Sequence, residues 1–298
     1  METCLNDLLA GWDSQLAGKP CHTADSQQTA VCRLYLEDGE DYLELARALS
    51  RQRRFREAAE AYTNALRFFP TDRWCFLARA LQYMCTLRPA LARTDFLRCL
   101  ELGGDLTDVL FYLGVCDYLL GEYELAAKRL QTALPLCEGE RKKAVIYWHT
   151  LSCCRSGRRL TLLEQYDGPN GCGTIYDRVL QLFLENERDH VLLPALEKTS
   201  MPDSEYVTGL YGCCVYWQCH SLQRKQRLWM PRLLERDKSW PDIAYLAAWN
   251  DWRRSGAFQS GIASTVQEGG SGPRPGGWRS AVSPCHLIEE QSYISSTP

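Results

Sequence analysis

The chain has 298 residues, 45% hydrophobic and 24% charged, which is typical of a globular protein with a large apolar core. Its net charge is −3, so no general positive field exists to attract nucleic acid or an anionic membrane. This balance makes nucleic acid an unlikely class of partner.

The N-terminus is acidic where a secretory signal would be basic, and no apolar run is long enough to span a bilayer. The 15 cysteines are an odd number and include no Cys-x-x-Cys spacing, which favours reduced thiols over a disulfide framework. We therefore expect a soluble, cytoplasmic protein that does not insert into membranes.

After a segment 1–38, expected to be an N-terminal helical cap, the chain repeats with a period of 34 residues. Small residues recur in three series: Ala46, Ala80 and Gly114; Ala58, Ala92 and Ala126; Ala65, Cys99 and Ala133. Larger side chains recur in two: Tyr62, Phe96 and Leu130; Leu66, Leu100 and Leu134. The period predicts one structural unit used several times.

Small residues at this spacing indicate two antiparallel helices per unit, because small side chains let the two backbones approach closely. We expect Ala46 to face Ala58 and Gly114 to face Ala126, with Ala80 and Ala92 paired in the same way. Gly121 suits the end of the first helix in the third unit.

These residues resemble the tetratricopeptide repeat family. The match is fullest across residues 39–72, where it is carried by Tyr42, Leu45, Ala46, Phe55, Ala58, Tyr62, Ala65 and Pro70. The units 73–106 and 107–140 match less fully, because Arg79 occupies an otherwise apolar position and glycines stand where a closing proline is usual. The resemblance covers about a third of the chain and implies an all-α, right-handed superhelical solenoid of antiparallel helix pairs.

Beyond residue 140 the motif decays while helical patterning continues. Residues 141–172 resemble a degenerate fourth repeat whose second helix could start at Arg158, so the repeat region is expected over 39–172. Thr174 and Asp177 have the spacing of a capping box at the start of an irregular helical region, 173–264. Within it, 203–229 predicts one long helix and Ser239-Trp240-Pro241-Asp242 begins another. The Gly- and Pro-rich composition of 265–298 predicts a mostly disordered tail.

The family resemblance implies that outward-facing residues of the first helices line a concave surface that holds partners. Its candidate partner-binding residues, here called the concave wall, are Leu43, Arg47, Trp74, Leu77, Leu81, Met84, Phe111, Val115 and Tyr118. The wall is mostly apolar, which suits an amphipathic helix or a hydrophobic peptide. Alternatively, the chain covers the wall itself with its N-terminal segment or its C-terminal helices.

Two further patterns have simpler explanations. Arginines gather at predicted turns, at Arg51, Arg53, Arg54 and Arg56, at Arg155, Arg158 and Arg159, and at Arg253 and Arg254. They could form a basic turn edge for an acidic partner, although solvated helix ends account for them more simply. Cys213, Cys214, Cys219 and His220 suggest a metal site, but on one helix they do not converge, and His149 with Cys153 supplies half a site at most.

Catalytic motifs are missing from the sequence. Gly168 to Gly173 is glycine-rich but follows no predicted strand, and Glu185, Asp189 and His190 are typical of a charged helix end. We therefore expect a non-enzymatic scaffold or adaptor that binds a protein or peptide, with no cofactor, metal or catalytic residue. The alternatives are an enzyme with an unrecognised site in the helical C-terminal half and a structural subunit of a larger assembly.

Overall fold

The computed structural model describes residues 38–166, 168, 173–185, 189–197 and 201–255. The expected N-terminal cap, up to residue 37, and the expected tail at 265–298 lie outside these ranges. The described residues form twelve α-helices and no strand. The helices are α1 Gly39–Arg51, α2 Phe55–Phe68, α3 Arg73–Cys85, α4 Pro89–Glu101, α5 Leu106–Leu120, α6 Tyr123–Ala133, α7 Gly139–Ser156, α8 Ile175–Glu185, α9 Asp189–Leu196, α10 Asp203–Cys219, α11 Gln223–Leu234 and α12 Ile243–Arg254. The expectation of an all-α fold is confirmed for this part of the chain.

From α1 to α7 each helix packs against the next one in the chain. The turns inside the first three pairs repeat their geometry: Arg53, Leu87 and Gly121, each 34 residues apart, all have a positive φ. The next N–H in each turn bonds to a carbonyl five residues earlier, at 2.8–2.9 Å. This left-handed cap supplies partners for the last carbonyls of the first helix and reverses the chain. The 34-residue period is therefore present in the backbone as well as in the sequence.

The close helix approach expected from the small residues is present at Gly114, where the nearest side chain is Leu130 rather than the expected Ala126. Ala46, Ala58, Ala80 and Ala92 are fully buried. A Cβ added at Gly114 would lie 2.7 Å from Leu130 Cγ, so α5 and α6 touch at a point that admits no side chain.

Arg79 occupies its otherwise apolar position because it forms a two-bond ion pair with Asp95, joining α3 to α4. Its Nε and Nη2 donate to the Asp95 carboxylate at 2.7 and 2.8 Å, and its Nη1 donates to Thr63 Oγ1 at 3.0 Å. The side chains are only 15% and 5% exposed. The departure from the repeat pattern thus has a matching partner on the neighbouring helix.

The C-terminal half is organised around α10. This helix is buried along its length from Tyr206 to Trp217 and packs against α7, α8, α9, α11 and α12. Two glycines make this possible: a Cβ at Gly209 would lie 2.6 Å from Ile175 Cδ1, and one at Gly212 would lie 2.5 Å from Val179 Cγ1. A helix buried on all sides has no polar face, which is why its sequence lacks a clear amphipathic pattern.

Several boundaries differ from those expected. Residues 158–162 are not helical and only a short 3-10 turn, Leu163–Gln165, follows, so no second helix begins at Arg158. The long helix expected at 203–229 is two helices, because Ser221 takes a positive φ and the chain reverses there. That turn has the same geometry as those of the first three pairs, with Leu222 N–H donating to the Trp217 carbonyl at 2.7 Å.

The start of α8 contains one side of the expected capping box, the bond from the Thr174 backbone to the Asp177 carboxylate. The backbone N–H and the hydroxyl of Thr174 both donate to Asp177 Oδ2, at 2.7 and 2.9 Å. Asp177 also accepts from Lys143 Nζ on α7 at 2.8 Å and from the Tyr166 hydroxyl. Burial acts to raise the pKa of Asp177, but these hydrogen bonds outweigh it and lower the pKa below its usual value. The carboxylate is therefore a charged anchor between α7 and α8.

The last described segment contacts the first and third helix pairs. Arg53, at the turn of the first helix pair, donates from Nη1 to the carbonyl of Trp240 at 2.7 Å and to that of Lys238 at 3.3 Å. On α12, Asn250 Nδ2 donates to the carbonyl of Leu119 at the end of α5, at 2.7 Å. None of the described helices is long and apolar enough to cross a membrane.

Candidate binding surface

Six of the nine residues of the concave wall lie in the protein interior. Leu77, Leu81, Met84, Phe111, Val115 and Tyr118 are each 0–5% exposed. They belong to the same core cluster as residues of α7, α10 and α12. In this conformation they offer no surface to a partner. Their burial corresponds to the alternative in which the chain covers the wall itself, and for Tyr118 the covering residue is Tyr211 on α10.

Tyr118 shows how the wall is covered. Its hydroxyl is 2.8 Å from that of Tyr211 on α10, and Tyr211 in turn donates to Asp251 Oδ2 on α12 at 2.9 Å. Asp251 also forms an ion pair with Arg155 on α7. The guanidinium Cζ of Arg155 lies 6.0 Å from the centre of the Tyr118 ring. One polar network therefore joins Tyr118 of the wall to α7, α10 and α12.

The pKa shifts in this network indicate a structural role. Burial raises the pKa of Tyr118 and of Tyr211 above the ordinary tyrosine value, so both remain neutral phenols. Burial acts to lower the pKa of Arg155, but Tyr118, Tyr211 and Asp251 together raise it. A permanently charged arginine paired with a carboxylate has no proton to exchange near neutral pH. The arrangement supports helix docking rather than acid–base chemistry.

The remaining three wall residues, Leu43, Arg47 and Trp74, are half-buried. Leu43 packs against the small clusters between α1, α2 and α3. The guanidinium Cζ of Arg73 lies 5.1 Å from the centre of the Trp74 ring, a cation–π distance. We call these three residues the open part of the wall.

By the same repeat geometry, Glu40, Ser50 and Asp108 are also expected to face outward from the first helices, and their surroundings differ. Glu40 is exposed, whereas Ser50 is buried and its hydroxyl donates to the Ala46 carbonyl at 2.8 Å. Asp108 is half-buried and pairs with Arg141 at 2.9 Å. Glu40 is therefore the residue of this group most accessible to solvent.

Four of the nine arginines of the basic turn edge form ion pairs within the chain. Arg54 pairs with Glu57 at 2.6 Å, Arg158 with Glu124 at 2.5 Å and Arg159 with Glu164 at 2.7 Å. Arg155 pairs with Asp251, and Arg53 donates to two carbonyls, as described above. Local pairing cancels much of the field that an acidic partner would sense beyond a Debye length. The edge is thus a weaker candidate surface than its arginine count indicates.

The cysteine and histidine cluster does not converge. Cys213 and Cys214 are fully buried inside α10, and burial raises the pKa of both thiols. His220 stacks on Tyr216 with ring centres 4.0 Å apart. Nitrogens of His149 lie 3.6 and 3.7 Å from Cys153 Sγ. Within the described residues, no three His, Cys, Asp or Glu side chains are grouped to hold a metal ion.

The acid–base candidates at the α8–α9 boundary, Glu185, Asp189 and His190, have different environments. Asp189 accepts from Trp217 Nε1 at 2.8 Å and from Lys225 Nζ at 2.6 Å. Burial acts to raise the pKa of Asp189, but these hydrogen bonds lower it, so the group is a paired carboxylate. His190 and Glu185 are exposed. Of the glycine-rich turn, only residues 168 and 173 fall in the described part of the chain.

The structure also shows a surface that the sequence reading did not single out. On α11, Leu228 is the most exposed of the large apolar side chains described, and Arg224 and Arg227 beside it are exposed as well. The basic and apolar residues of α11 lie at the end of the segment 203–229, which the sequence predicts to be one helix. Because the structure contains two helices there, α11 has a surface that the sequence pattern did not separate from α10.

A comparison of the sequence with protein-family models finds no match.

Proposed function

We propose that this chain is a non-enzymatic adaptor of the tetratricopeptide-repeat type that binds a protein or peptide through the open part of the wall. Two features support the repeat assignment: helix pairs that pack in chain order, and the left-handed turn that recurs every 34 residues. The family motif specifies fold far more than function. The binding site is therefore argued from the surface itself.

The observation that carries this proposal is the half-buried Trp74 on α3 with Arg73 over its ring. Leu43 and Arg47 are half-buried on α1, and Leu43 packs against the cluster that contains Cys75 of α3. Aromatic and arginine side chains together are the commonest dominant contacts of protein interfaces. An exposed arginine beside a half-buried aromatic ring favours an amphipathic helical segment with acidic residues on one flank. This is a narrower site than the nine-residue concave wall, because the rest of the wall is buried.

The buried acidic groups support a binding role over a catalytic one. Asp95, Asp177 and Asp189 each accept hydrogen bonds from a cation on another helix. All three are explained by helix packing, which leaves none of them free for chemistry. A cytoplasmic location belongs to the same proposal, and the odd number of cysteines without a Cys-x-x-Cys spacing supports it.

The experiment compares capture of host proteins by the wild-type chain, Trp74→Ala, Arg47→Glu and the matched control Leu91→Ala. Leu91 is an exposed leucine on α4, away from the wall. A binding hot spot commonly contributes about 2 kcal/mol, so Trp74→Ala should weaken a genuine partner about 30-fold while Leu91→Ala leaves it unchanged. Circular dichroism must show that every variant is folded. Equal capture by all four proteins contradicts the proposed site.

A further inference from the structure

Two cysteines from different helices lie in contact near the protein surface. Cys154 is in the last turn of α7 and Cys219 is the final residue of α10, and these helices pack against each other. A hydrogen bond joins the two thiol groups. The residues are far apart in sequence, so the fold alone brings them together.

This pair differs from the other described cysteines in its access to solvent. Cys219 is exposed and Cys154 is half-buried, whereas the other eight are all buried. A small oxidant arriving from solvent therefore meets Cys219 before any of them. Exposure combined with a neighbouring thiol is the usual arrangement of a redox-sensitive cysteine.

Solvent access gives the two sulfurs different roles. Cys219 is exposed and Cys154 is half-buried, so a peroxide molecule from solvent reaches Cys219 first. The hydrogen bond between the thiols and the charge of Arg155 lower the pKa of Cys219, while burial opposes them. Cys219 is therefore the attacking sulfur and Cys154 the sulfur that resolves the product.

We propose that Cys154 and Cys219 are a modification site, a dithiol that hydrogen peroxide converts into an intramolecular disulfide between α7 and α10. The Cys219 thiolate attacks one peroxide oxygen, the O–O bond breaks, and the leaving hydroxide takes up a proton to become water. Cys219 is then a sulfenic acid. The Cys154 sulfur attacks the Cys219 sulfur, the S–O bond breaks, and a second water leaves with the Cys154 proton. The two thiols together lose two electrons, and peroxide is reduced to water.

The disulfide would join a repeat helix to the central helix of the C-terminal half. Cys219 also precedes the left-handed turn at Ser221 that starts α11. Oxidation would therefore fix the end of α10 and the start of α11 relative to α7. The proposal is independent of the open part of the wall.

The test treats the reduced, full-length protein with hydrogen peroxide at a few molar equivalents and blocks remaining thiols with iodoacetamide. Proteolysis without reductant and tandem mass spectrometry then locate any linkage. We expect a peptide pair joined through Cys154 and Cys219, lighter by two hydrogen atoms than the sum of its reduced halves. Linkage of Cys219 to another cysteine, or its oxidation to sulfinic acid without linkage, overturns the proposal.

Three variants sharpen the assignment. Cys154→Ser should leave Cys219 as a sulfenic acid that dimedone traps, and Cys219→Ser should abolish both trapping and linkage at Cys154. Cys153→Ala is the matched control, since it removes the adjacent buried thiol that contacts His149. It should leave the Cys154–Cys219 linkage intact, and loss of linkage in this folded control contradicts the proposed pairing. The wild-type peptide map decides the pairing even where a variant fails to fold.

Discussion

Asn250 on α12 donates its side-chain N–H to the backbone carbonyl of Leu119 at 2.7 Å, although the two residues are 131 positions apart. Asn250 is buried, and Leu119 is one residue from the end of α5. The last four carbonyls of a helix have no partner within the helix, so this bond satisfies one of them. It also holds the last described helix against the third helix pair.

The first prediction concerns this contact. Asn250→Ala should lower the free energy of unfolding by about 1–3 kcal/mol, because the Leu119 carbonyl would be left buried without a partner. Urea denaturation followed by circular dichroism measures the change. Leu228→Ala, an exposed side chain on α11, is the control and should stay within about 0.5 kcal/mol of wild type. An unaffected Asn250→Ala variant would mean that α12 is not docked on α5.

The second prediction concerns the ion pair between Arg79 and Asp95. Arg79→Leu should destabilise the protein by about 3–5 kcal/mol, because it leaves the Asp95 carboxylate buried without its cation. The double variant Arg79→Leu with Asp95→Leu should recover most of this loss, since apolar residues replace the whole pair. The exposed pair Arg98 and Glu101 is the comparison, where Arg98→Ala should cost less than about 1 kcal/mol.

Equal stability of the Arg79→Leu single and double variants would contradict coupling between these two side chains. The single variant Asp95→Leu completes the double-mutant cycle, and each protein is measured under identical buffer and temperature. Such a cycle also shows whether α3 and α4 pack as the structure places them.

The third prediction tests the helix crossing between α3 and α4. Ala92 is fully buried at this crossing, so Ala92→Leu should overpack it and reduce stability by about 1–3 kcal/mol. Ala90→Leu on the exposed face of the same helix is the matched control and should have little effect. Differential scanning calorimetry gives both melting temperatures. Equal melting temperatures for the two variants would contradict the helix register.

Local features of the fold were predictable from the sequence, and contacts between distant segments were not. The 34-residue spacing predicted the helix pairs, and Gly121 predicted the end of one helix, because both features depend on residues close together in the chain. Arg79 stood out as irregular, but its partner Asp95 was not identified. The covering of Tyr118 by Tyr211 depends on two segments 93 positions apart, which no local pattern encodes. The contact between Cys154 and Cys219 was not predicted for the same reason, because these residues are far apart in the sequence.

The fourth prediction separates core aromatics from surface aromatics in the concave wall. Phe111 is buried and packs edge-on against Tyr112, with ring centres 5.3 Å apart. Phe111→Ala should therefore destabilise the protein by about 3–5 kcal/mol through the cavity that it leaves. Trp74→Ala should cost clearly less, because Trp74 is half-buried.

Chemical denaturation of the two single variants distinguishes these cases. If Phe111→Ala is as stable as wild type, the Phe111 ring lies on an exposed surface. The candidate binding surface is then the whole nine-residue concave wall. If Trp74→Ala unfolds as readily as Phe111→Ala, Trp74 is a core residue and the open part of the wall is smaller than proposed.

The last prediction is a pH dependence that arises from His149. Burial lowers the pKa of this imidazole from 6.5 to about 4 in the folded protein. The folded state therefore keeps His149 neutral, while the unfolded chain gains a proton below pH 6.5. Stability contributed by the neutral form is present above the unfolded pKa and is lost as pH falls toward 4. Between pH 7 and pH 5 this group alone should remove about 2 kcal/mol from the free energy of unfolding.

The pH window from 7 to 5 lies above the lowered pKa values of Asp177 and Asp189, so those carboxylates stay charged throughout it. Urea denaturation at both pH values measures the slope, and His149→Gln should reduce it by about that amount. A variant with the wild-type slope would mean that His149 accepts its proton without unfolding, which is incompatible with its burial beside Cys153.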